Sequence, residues 1–242
     1  QASILDRYIF SAGTNLIRAM LSFIAGILIA KGLGVEDYGT YAFLIASFGA
    51  ILSIIDLGTS SAFFTFISKK NQSSYFFLSF LAWILFIFLL SISMLFFIVP
   101  ESWLDLIWSG NSRAIIILSF SSVFLKTYLW NIIIQIAESQ RFTKISQSIS
   151  LLITLMHLAL VIILLLFNFL SITLIFYLII FEYLIAALVA YFSLPIIFSN
   201  STPPNQDILR SYWAYCLPLI PYIFLQMIMK FSDTWLLQQY GG

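Results

Sequence analysis

Seven apolar runs, each long enough to cross a lipid bilayer as a helix, are the sequence feature that most constrains this fold. They are Tyr8–Ala30, Tyr38–Ile67, Tyr75–Val99, Ala114–Ala137, Ile145–Phe167, Ile172–Phe198 and Tyr212–Leu237. A helix of about 20 residues spans the hydrocarbon core. Strands are excluded as spans because the runs are too long and their hydrophobicity does not alternate. The sequence therefore predicts an all-α, polytopic transmembrane bundle of about seven helices.

The composition supports this prediction, since 62% of the residues are hydrophobic and only 9% are charged. A water-soluble domain carries roughly 25% charged residues, so this chain has too few charged residues to cover a globular surface. The net charge of +1 gives no indication of a nucleic-acid partner. With one cysteine, Cys216, and one histidine, the sequence shows neither an internal disulfide nor a motif for a metal or another cofactor.

Several ionisable residues lie within the predicted spans rather than in the loops. They are Arg18, Asp56, Lys126, His157, Glu182, Lys230 and Asp233. A charge at the bilayer centre costs about 2.5–3.5 kcal/mol on insertion scales, so these side chains must face one another or a wet cavity. Helical spacing agrees with this in five spans, each of which carries a set of residues three or four positions apart that share one face. The sets are Ser11, Asn15, Arg18 and Ser22; Gly49, Ser53, Asp56 and Ser60; Ser119, Ser122, Lys126 and Trp130; Ser146, Ser150, Thr154 and His157; and Tyr222, Gln226, Lys230 and Asp233. Polar faces turned inward predict a polar lumen.

Arg18 and Lys126 have no acidic residue close to them in sequence, which favours a functional role. A cation in a wet cavity suits an anionic headgroup, above all a phosphate, which arginine grips through paired hydrogen bonds. The residues assigned to substrate binding are Arg18, Lys126, Asn15 and His157. Those assigned to charge balance or to a coupling ion are Asp56, Glu182, Asp233 and Lys230.

Structural alternatives stay open for several of these residues. Lys230 can reach Asp233 three residues later, and that pair can be purely structural. His157 can be a satisfied hydrogen-bonding group rather than a proton carrier. Serine, threonine and glycine on one face commonly serve close packing between membrane helices.

Basic residues are distributed unevenly between the two sets of alternate loops. One set contains Arg7, Lys69, Lys70, Arg141, Lys144 and Arg210, whereas the other contains Lys31 and Arg113. Because basic loops stay in the cytoplasm, this asymmetry predicts a cytoplasmic N-terminus.

The first helical hairpin carries a recognisable pattern. Residues 11–16 read SAGTNL, residues 29–41 read IAKGLGVEDYGTY, and Ile55-Asp56-Leu57-Gly58 follows. Near the other end, residues 231–237 read FSDTWLL and are followed by Gly241. These segments resemble the polysaccharide-biosynthesis flippases, the O-antigen and capsule exporters of the multidrug/oligosaccharidyl-lipid/polysaccharide (MOP) superfamily. Lys31 stands where that family usually has arginine.

This resemblance implies a two-lobe, MATE-like transporter of the inner (cytoplasmic) membrane, with six helices in each lobe. The chain would then comprise a six-helix lobe (residues 1–198), a cytoplasmic linker (residues 199–211) and the start of a second lobe (residues 212–242). We therefore expect a fragment of a longer, multi-pass protein that does not work alone.

By the same resemblance, the expected function is transport without catalysis. The cargo would be a polyprenyl-diphosphate-linked oligosaccharide for O-antigen or capsule-type polysaccharide biosynthesis, and further partners would be membrane lipids and a coupling cation, H⁺ or Na⁺. Three alternatives stay open: an ion-coupled multidrug antiporter of the same superfamily, a membrane-embedded glycan polymerase or acyltransferase, and a non-transporting scaffold. The basic residues among the interior charges disfavour a multidrug antiporter, and the short loops disfavour a polymerase or acyltransferase. A scaffold would leave the interior charges without a function.

Overall fold

A computed structural model describes residues 4–68, 74–108, 110–194 and 206–240, which are almost entirely α-helical. The helices in chain order are α1 (Ile4–Leu33), α2 (Val35–Asp56), α3 (Thr59–Ile67), α4 (Ser74–Ser93), α5 (Glu101–Ile107), α6 (Arg113–Val123), α7 (Trp130–Ser139), α8 (Thr143–Leu166), α9 (Ile172–Ser193), α10 (Gln206–Cys216) and α11 (Leu219–Tyr240). Within these residues, seven helical stretches are long and apolar enough to cross a membrane. The predicted all-α bundle is confirmed, and the chain is a multi-pass membrane protein.

The prediction of one continuous second span, Tyr38–Ile67, is wrong. The helix breaks between α2 and α3, where Leu57 and Gly58 both have left-handed φ angles, of 48° and 76°. Oδ1 of Asp56 caps the new helix, because it accepts hydrogen bonds from the Ser60 amide at 3.0 Å and the Ser60 hydroxyl at 2.6 Å. It also accepts one from the Thr59 hydroxyl at 3.0 Å. These contacts satisfy donors that a helix N-terminus otherwise leaves open.

The seventh predicted span, Tyr212–Leu237, is also interrupted. Helix α10 ends at Cys216 and α11 begins at Leu219. Pro218 lies between them and has no amide proton, so it cannot continue the helical hydrogen bonding. Residues 206–211 of the predicted linker belong to α10, whereas residues 199–205 lie outside the described part of the chain.

The fourth span contains a wide, π-helical turn over Phe124–Leu129 that joins α6 to α7. Such a turn inserts an extra residue relative to the α-helical repeat, and π-helical turns are frequent at functional sites. The stripe predicted for Ser119, Ser122, Lys126 and Trp130 crosses this turn and stays a prediction. Both serines are fully buried, whereas Lys126, inside the turn, is exposed. A second π-helical turn, Met94–Ile98, continues α4.

The chain divides into two compact units, each discontinuous in sequence. The first comprises Gln1–Ala42 and Leu125–Ile196, and the second comprises Phe43–Phe124 and Ile197–Gly242. The predicted division into a lobe at 1–198, a linker and a second lobe from 212 stays a prediction.

In the first unit, α1 packs against α8, and α7, α8 and α9 pack against one another. Their core contains Trp130, Ala137, Ile149, Ile153, Ala186, Ala190 and Leu194. The three alanines allow the helix backbones to approach closely, which is how membrane helices gain packing contacts without a hydrophobic driving force. The indole of Trp130 donates a hydrogen bond to the Ser150 hydroxyl at 3.2 Å, so this buried polar group is satisfied.

In the second unit, aromatic rings form much of the core. Phe63 stacks on Phe80 with a centroid distance of 3.8 Å. Trp108 stacks on Phe48 and donates its indole hydrogen to the Ser47 hydroxyl at 2.9 Å. The two helix breaks of this unit lie against each other, since the Tyr212 hydroxyl donates to the Thr59 carbonyl at 2.7 Å.

Replacing Gly58 with alanine is expected to lower the free energy of unfolding by about 1–3 kcal/mol, because the added methyl group strains a left-handed residue and crowds its neighbours. A Cβ at Gly58 would lie 3.0 Å from Cδ1 and 3.2 Å from Cβ of Leu219. Gly49→Ala is the matched control, since a Cβ there meets nothing within 4 Å. Chemical denaturation in detergent micelles measures both variants, and equal stability of the two would contradict the packing at the break.

Candidate functional site

The polar cavity of the first unit is the candidate site. It has a volume of about 120 Å³ and is lined by Arg18, Ser22, Lys126, Ile153, Thr154, His157, Ile179, Glu182 and Tyr183. A cavity of this size with several polar partners can hold a group of water molecules. The structure thus places a hydrophilic space within a unit whose surface is otherwise largely apolar.

Three helices and the π-helical turn supply the functional side chains. Arg18 and Ser22 come from α1, one helical turn apart, and Lys126 comes from the Phe124–Leu129 turn. Thr154 and His157 are one turn apart on α8, whereas Glu182 and Tyr183 are adjacent on α9. Spacings of three and four residues keep side chains on one face of a helix, which is why α1 and α8 each present two residues to the cavity.

Glu182 is the most deeply buried ionisable group of the cavity, with 1% of its side chain exposed. Nδ1 of His157 lies 2.9 Å from its Oε2 and 3.2 Å from its Oε1. At these distances the two side chains form a hydrogen bond. Nδ1 of His157 donates the proton when Glu182 is ionised, and the carboxylic acid of Glu182 donates it when Glu182 is neutral. A buried carboxylate is tolerated only when it is paired in this way or neutral.

Arg18 and Lys126 retain unused hydrogen-bonding capacity. NH1 of Arg18 donates to Oδ1 of Asn15 at 3.1 Å, whereas its buried Nε has no partner among the described residues. Within the same part of the chain, Lys126 forms neither a hydrogen bond nor an ion pair, although it lies close enough to Glu182 for electrostatic attraction. Both cations can therefore accept an additional anionic partner.

The charges that line the cavity favour an anion as its ligand. Two basic side chains, Arg18 and Lys126, share the space with a single carboxylate, and that carboxylate is already bonded to His157. An arginine fork and a lysine ammonium together match the oxygen atoms of a phosphate or sulfate. The second unit offers a contrast, because its pocket of about 130 Å³ is lined by aromatic rings and hydroxyl groups and has no charged residue in its lining.

The structure brings together four of the residues predicted for the site: Arg18, Lys126, His157 and Glu182. Asn15 is also close, through its hydrogen bond with Arg18. Two predicted acids belong to the second unit, where Asp56 caps α3 and Asp233 is exposed on α11. The side chain of Lys230 lies outside the described part of the chain, so its pairing with Asp233 stays a prediction.

Tyr183 is a cavity residue that sequence reasoning missed. Glu182 directly precedes it, but the residues three and four positions away on α9 are apolar, so no polar face singled it out. Ser22 and Thr154 were recognised on their polar faces but were not assigned to the site. Their positions one turn from Arg18 and His157 were the signal that could have identified them.

The described residues contain no group of three or more His, Cys, Asp or Glu side chains that could hold a metal ion. Comparison of the chain with protein-family models, with curated proteins and with solved structures gave no match.

Proposed function

We propose that this chain belongs to a transporter that moves an anionic, lipid-linked headgroup across a membrane. The observation that carries this proposal is the polar cavity of the first unit, which holds two cations, Arg18 and Lys126, neither of which has an acidic hydrogen-bond partner in the described chain. An ionisable residue within a membrane span marks a functional site by default, because its insertion is costly.

The proposed cargo is a polyprenyl-diphosphate-linked oligosaccharide. Its diphosphate would bind between Arg18 and Lys126, while hydroxyl groups of the sugar find polar partners such as Thr154 and Tyr183. The headgroup must cross hydrocarbon while the polyprenyl tail stays in it, and a polar cavity that opens to alternate sides of the membrane permits this. The resemblance of the first hairpin to polysaccharide flippases supports the same cargo, for biosynthesis of an O-antigen or capsule-type polymer.

An ion-coupled multidrug antiporter is the competing proposal, and Glu182 is the residue that it would need. A cationic drug requires an accessible carboxylate, whereas Glu182 is fully buried and bonded to His157. The drug would also meet two positive side chains in the same cavity. Electrostatics therefore favours the anionic cargo.

We place the N-terminus on the cytoplasmic side of the cytoplasmic membrane, since six basic residues lie in one set of loops and two in the other. With this orientation, Arg141, between α7 and α8, and Lys144, in the first turn of α8, face the cytoplasm. Chemical labelling of a cysteine introduced at Lys144 checks the orientation, because a membrane-impermeant reagent added to intact cells should not reach it.

Arg18→Ala is expected to reduce transport about tenfold or more, whereas Arg18→Lys keeps most of it, because a charge-assisted hydrogen bond contributes about 1.5–3 kcal/mol. The assay follows a polyprenyl-diphosphate glycan from one leaflet to the other in vesicles containing the complete protein. Lys31→Ala is the control, since Lys31 is exposed at the end of the same helix. Full transport by Arg18→Ala would contradict the proposed role of its charge.

A further inference from the structure

Helices α1 and α8 run side by side in the same direction, so their N-terminal ends lie together. Near these ends, Nζ of Lys144 lies 5.8 Å from the centre of the Phe10 ring, within the range of a cation–π contact. Further along both helices, Arg18 and His157 line the same cavity. The order of these contacts shows that the two helices keep the same register from their N-terminal ends to the cavity.

Three basic residues gather at the N-terminal end of this helix pair: Arg7 on α1, Arg141 just before α8, and Lys144 in the first turn of α8. Arg141 and Lys144 are exposed. Arg7 is half-buried, and its buried Nε has no hydrogen-bond partner among the described residues. Asp6 and Glu138 lie at the same end, so the basic residues outnumber the acidic ones there. This end of the first unit therefore carries an excess of positive charge.

The position of Arg7 along α1 places this basic cluster at the level of lipid headgroups. Arg18 lies midway along the 30 residues of α1, and Arg7 lies about 16 Å before it at a rise of about 1.5 Å per residue. The hydrocarbon core of a bilayer is about 30 Å thick, so its boundary lies about 15 Å from the midplane. In the proposed orientation, Arg7 is at the cytoplasmic boundary, where the phosphate group of a lipid in that leaflet also lies.

A stripe of polar side chains on α1 joins this cluster to the cavity. Arg7, Ser11, Asn15 and Arg18 follow one another at spacings of four, four and three residues, so they share one face of the helix. The Asn15 amide donates to the Ser11 hydroxyl at 3.5 Å, and NH1 of Arg18 donates to Oδ1 of Asn15 at 3.1 Å. Asn15 is exposed, and an amide in contact with hydrocarbon is costly. The stripe is therefore expected to line a hydrated groove.

We propose that Arg7, Arg141 and Lys144 form a docking site for the diphosphate of the lipid-linked cargo in the cytoplasmic leaflet. From there the headgroup moves along the polar stripe of α1 to Arg18. This inference rests on the proposed function, which supplies the cargo and the orientation. Two guanidinium groups and an ammonium group provide the charged donors that phosphate oxygens accept, and the depth of Arg7 lets the polyprenyl tail stay in the hydrocarbon while the diphosphate binds.

The test follows transport of a polyprenyl-diphosphate glycan between leaflets at increasing mole fractions of the glycan, in vesicles of neutral lipid that contain the complete protein. In Arg7→Gln/Lys144→Gln, we expect the half-saturating mole fraction to rise about tenfold, because charge-assisted hydrogen bonds at a partly exposed site are lost. The maximal rate should change less, since Arg18 and Lys126 are intact. Arg7→Lys/Lys144→Arg keeps both charges and should stay close to the wild type in both quantities.

Lys31→Gln/Arg210→Gln is the matched control, because it removes two exposed basic residues that do not belong to the cluster. An equal rise of the half-saturating fraction in this control would show a general attraction of charge and would rule out the docking site. So would an unchanged half-saturating fraction in Arg7→Gln/Lys144→Gln, although transport by the wild type would then still support the proposed function. A wild type that does not transport the glycan would contradict the proposed function and the docking site together.

An ordinary anionic phospholipid is the other possible occupant of the cluster, and a second arm of the experiment separates it from the cargo. Phosphatidylglycerol replaces part of the neutral lipid, and the half-saturating fraction of the wild type should stay close to its value in neutral vesicles. A rise to the value of Arg7→Gln/Lys144→Gln would assign the cluster to phospholipid and overturn the docking of cargo. Poor folding of a variant lowers the maximal rate but leaves the half-saturating fraction of the folded molecules unchanged, so the comparison stays decisive.

Discussion

Replacing both Arg18 and Lys126 with alanine is expected to weaken binding of inorganic diphosphate by about a hundredfold or more. Each hydrogen bond to a charged group contributes about 1.5–3 kcal/mol, and about 1.4 kcal/mol corresponds to a tenfold change in affinity. The two side chains line the same cavity, and neither has an acidic hydrogen-bond partner among the described residues. Calorimetric titration of the complete protein at one fixed pH measures the effect.

The matched control for this double variant removes two exposed basic residues, Lys31 and Arg210, from outside the cavity. Its affinity for diphosphate should stay within about a factor of three of the wild type, since exposed charges are largely screened. If the control loses as much affinity as the cavity variant, diphosphate is responding to overall charge, and the assignment of Arg18 and Lys126 to a specific site is wrong.

Removing the carboxylate of Glu182 is expected to have the largest effect on stability. Glu182→Ala should lower the free energy of unfolding by about 3–5 kcal/mol, the usual cost of breaking a buried charge pair. Its side chain is 1% exposed, and its loss leaves His157 without its partner and removes the one carboxylate of the cavity lining. Chemical denaturation in detergent micelles measures the difference, and Glu36→Ala, at an exposed position, should change stability by less than about 0.5 kcal/mol.

Replacing the whole pair separates its structural role from its chemistry. In His157→Phe/Glu182→Met, apolar side chains of similar volume fill the space, and such exchanges of buried ion pairs are often neutral in stability. We expect this double variant to unfold within about 1 kcal/mol of the wild type. A double variant as unstable as Glu182→Ala would show that the pair is needed for folding itself.

Hydropathy predicted the membrane class and the number of spans because long apolar runs admit few other solutions. It could not predict the break at Leu57-Gly58, since this pair of residues is as apolar as its surroundings and a turn there depends on φ angles. Asp56 therefore read as an ion inside a span, whereas it caps α3. Pro218 could have predicted the break between α10 and α11, because proline cannot continue helical hydrogen bonding. It lies within a long apolar run, and the run was interpreted as one continuous span.

Helical periodicity predicted parts of the site and missed others for a physical reason. Arg18 and His157 were placed correctly on polar faces because α1 and α8 are regular helices. Lys126 lies in a π-helical turn, which the spacing of polar residues did not predict, and it is exposed whereas Ser119 and Ser122 are buried. The contact between His157 and Glu182 joins residues 25 positions apart on different helices, and no local pattern in a sequence encodes such a pairing.

Selectivity for headgroup charge shows whether the cationic cavity serves an anionic, lipid-linked cargo. The measurement compares transport between leaflets, in vesicles containing the complete protein, of a polyprenyl-diphosphate glycan, a neutral glycolipid with the same tail and sugar, and a lipophilic cation. We expect rapid movement of the diphosphate glycan, whereas the neutral and cationic molecules should move no faster than in protein-free vesicles. Equal acceleration of the neutral glycolipid, or selective transport of the cation, would contradict it.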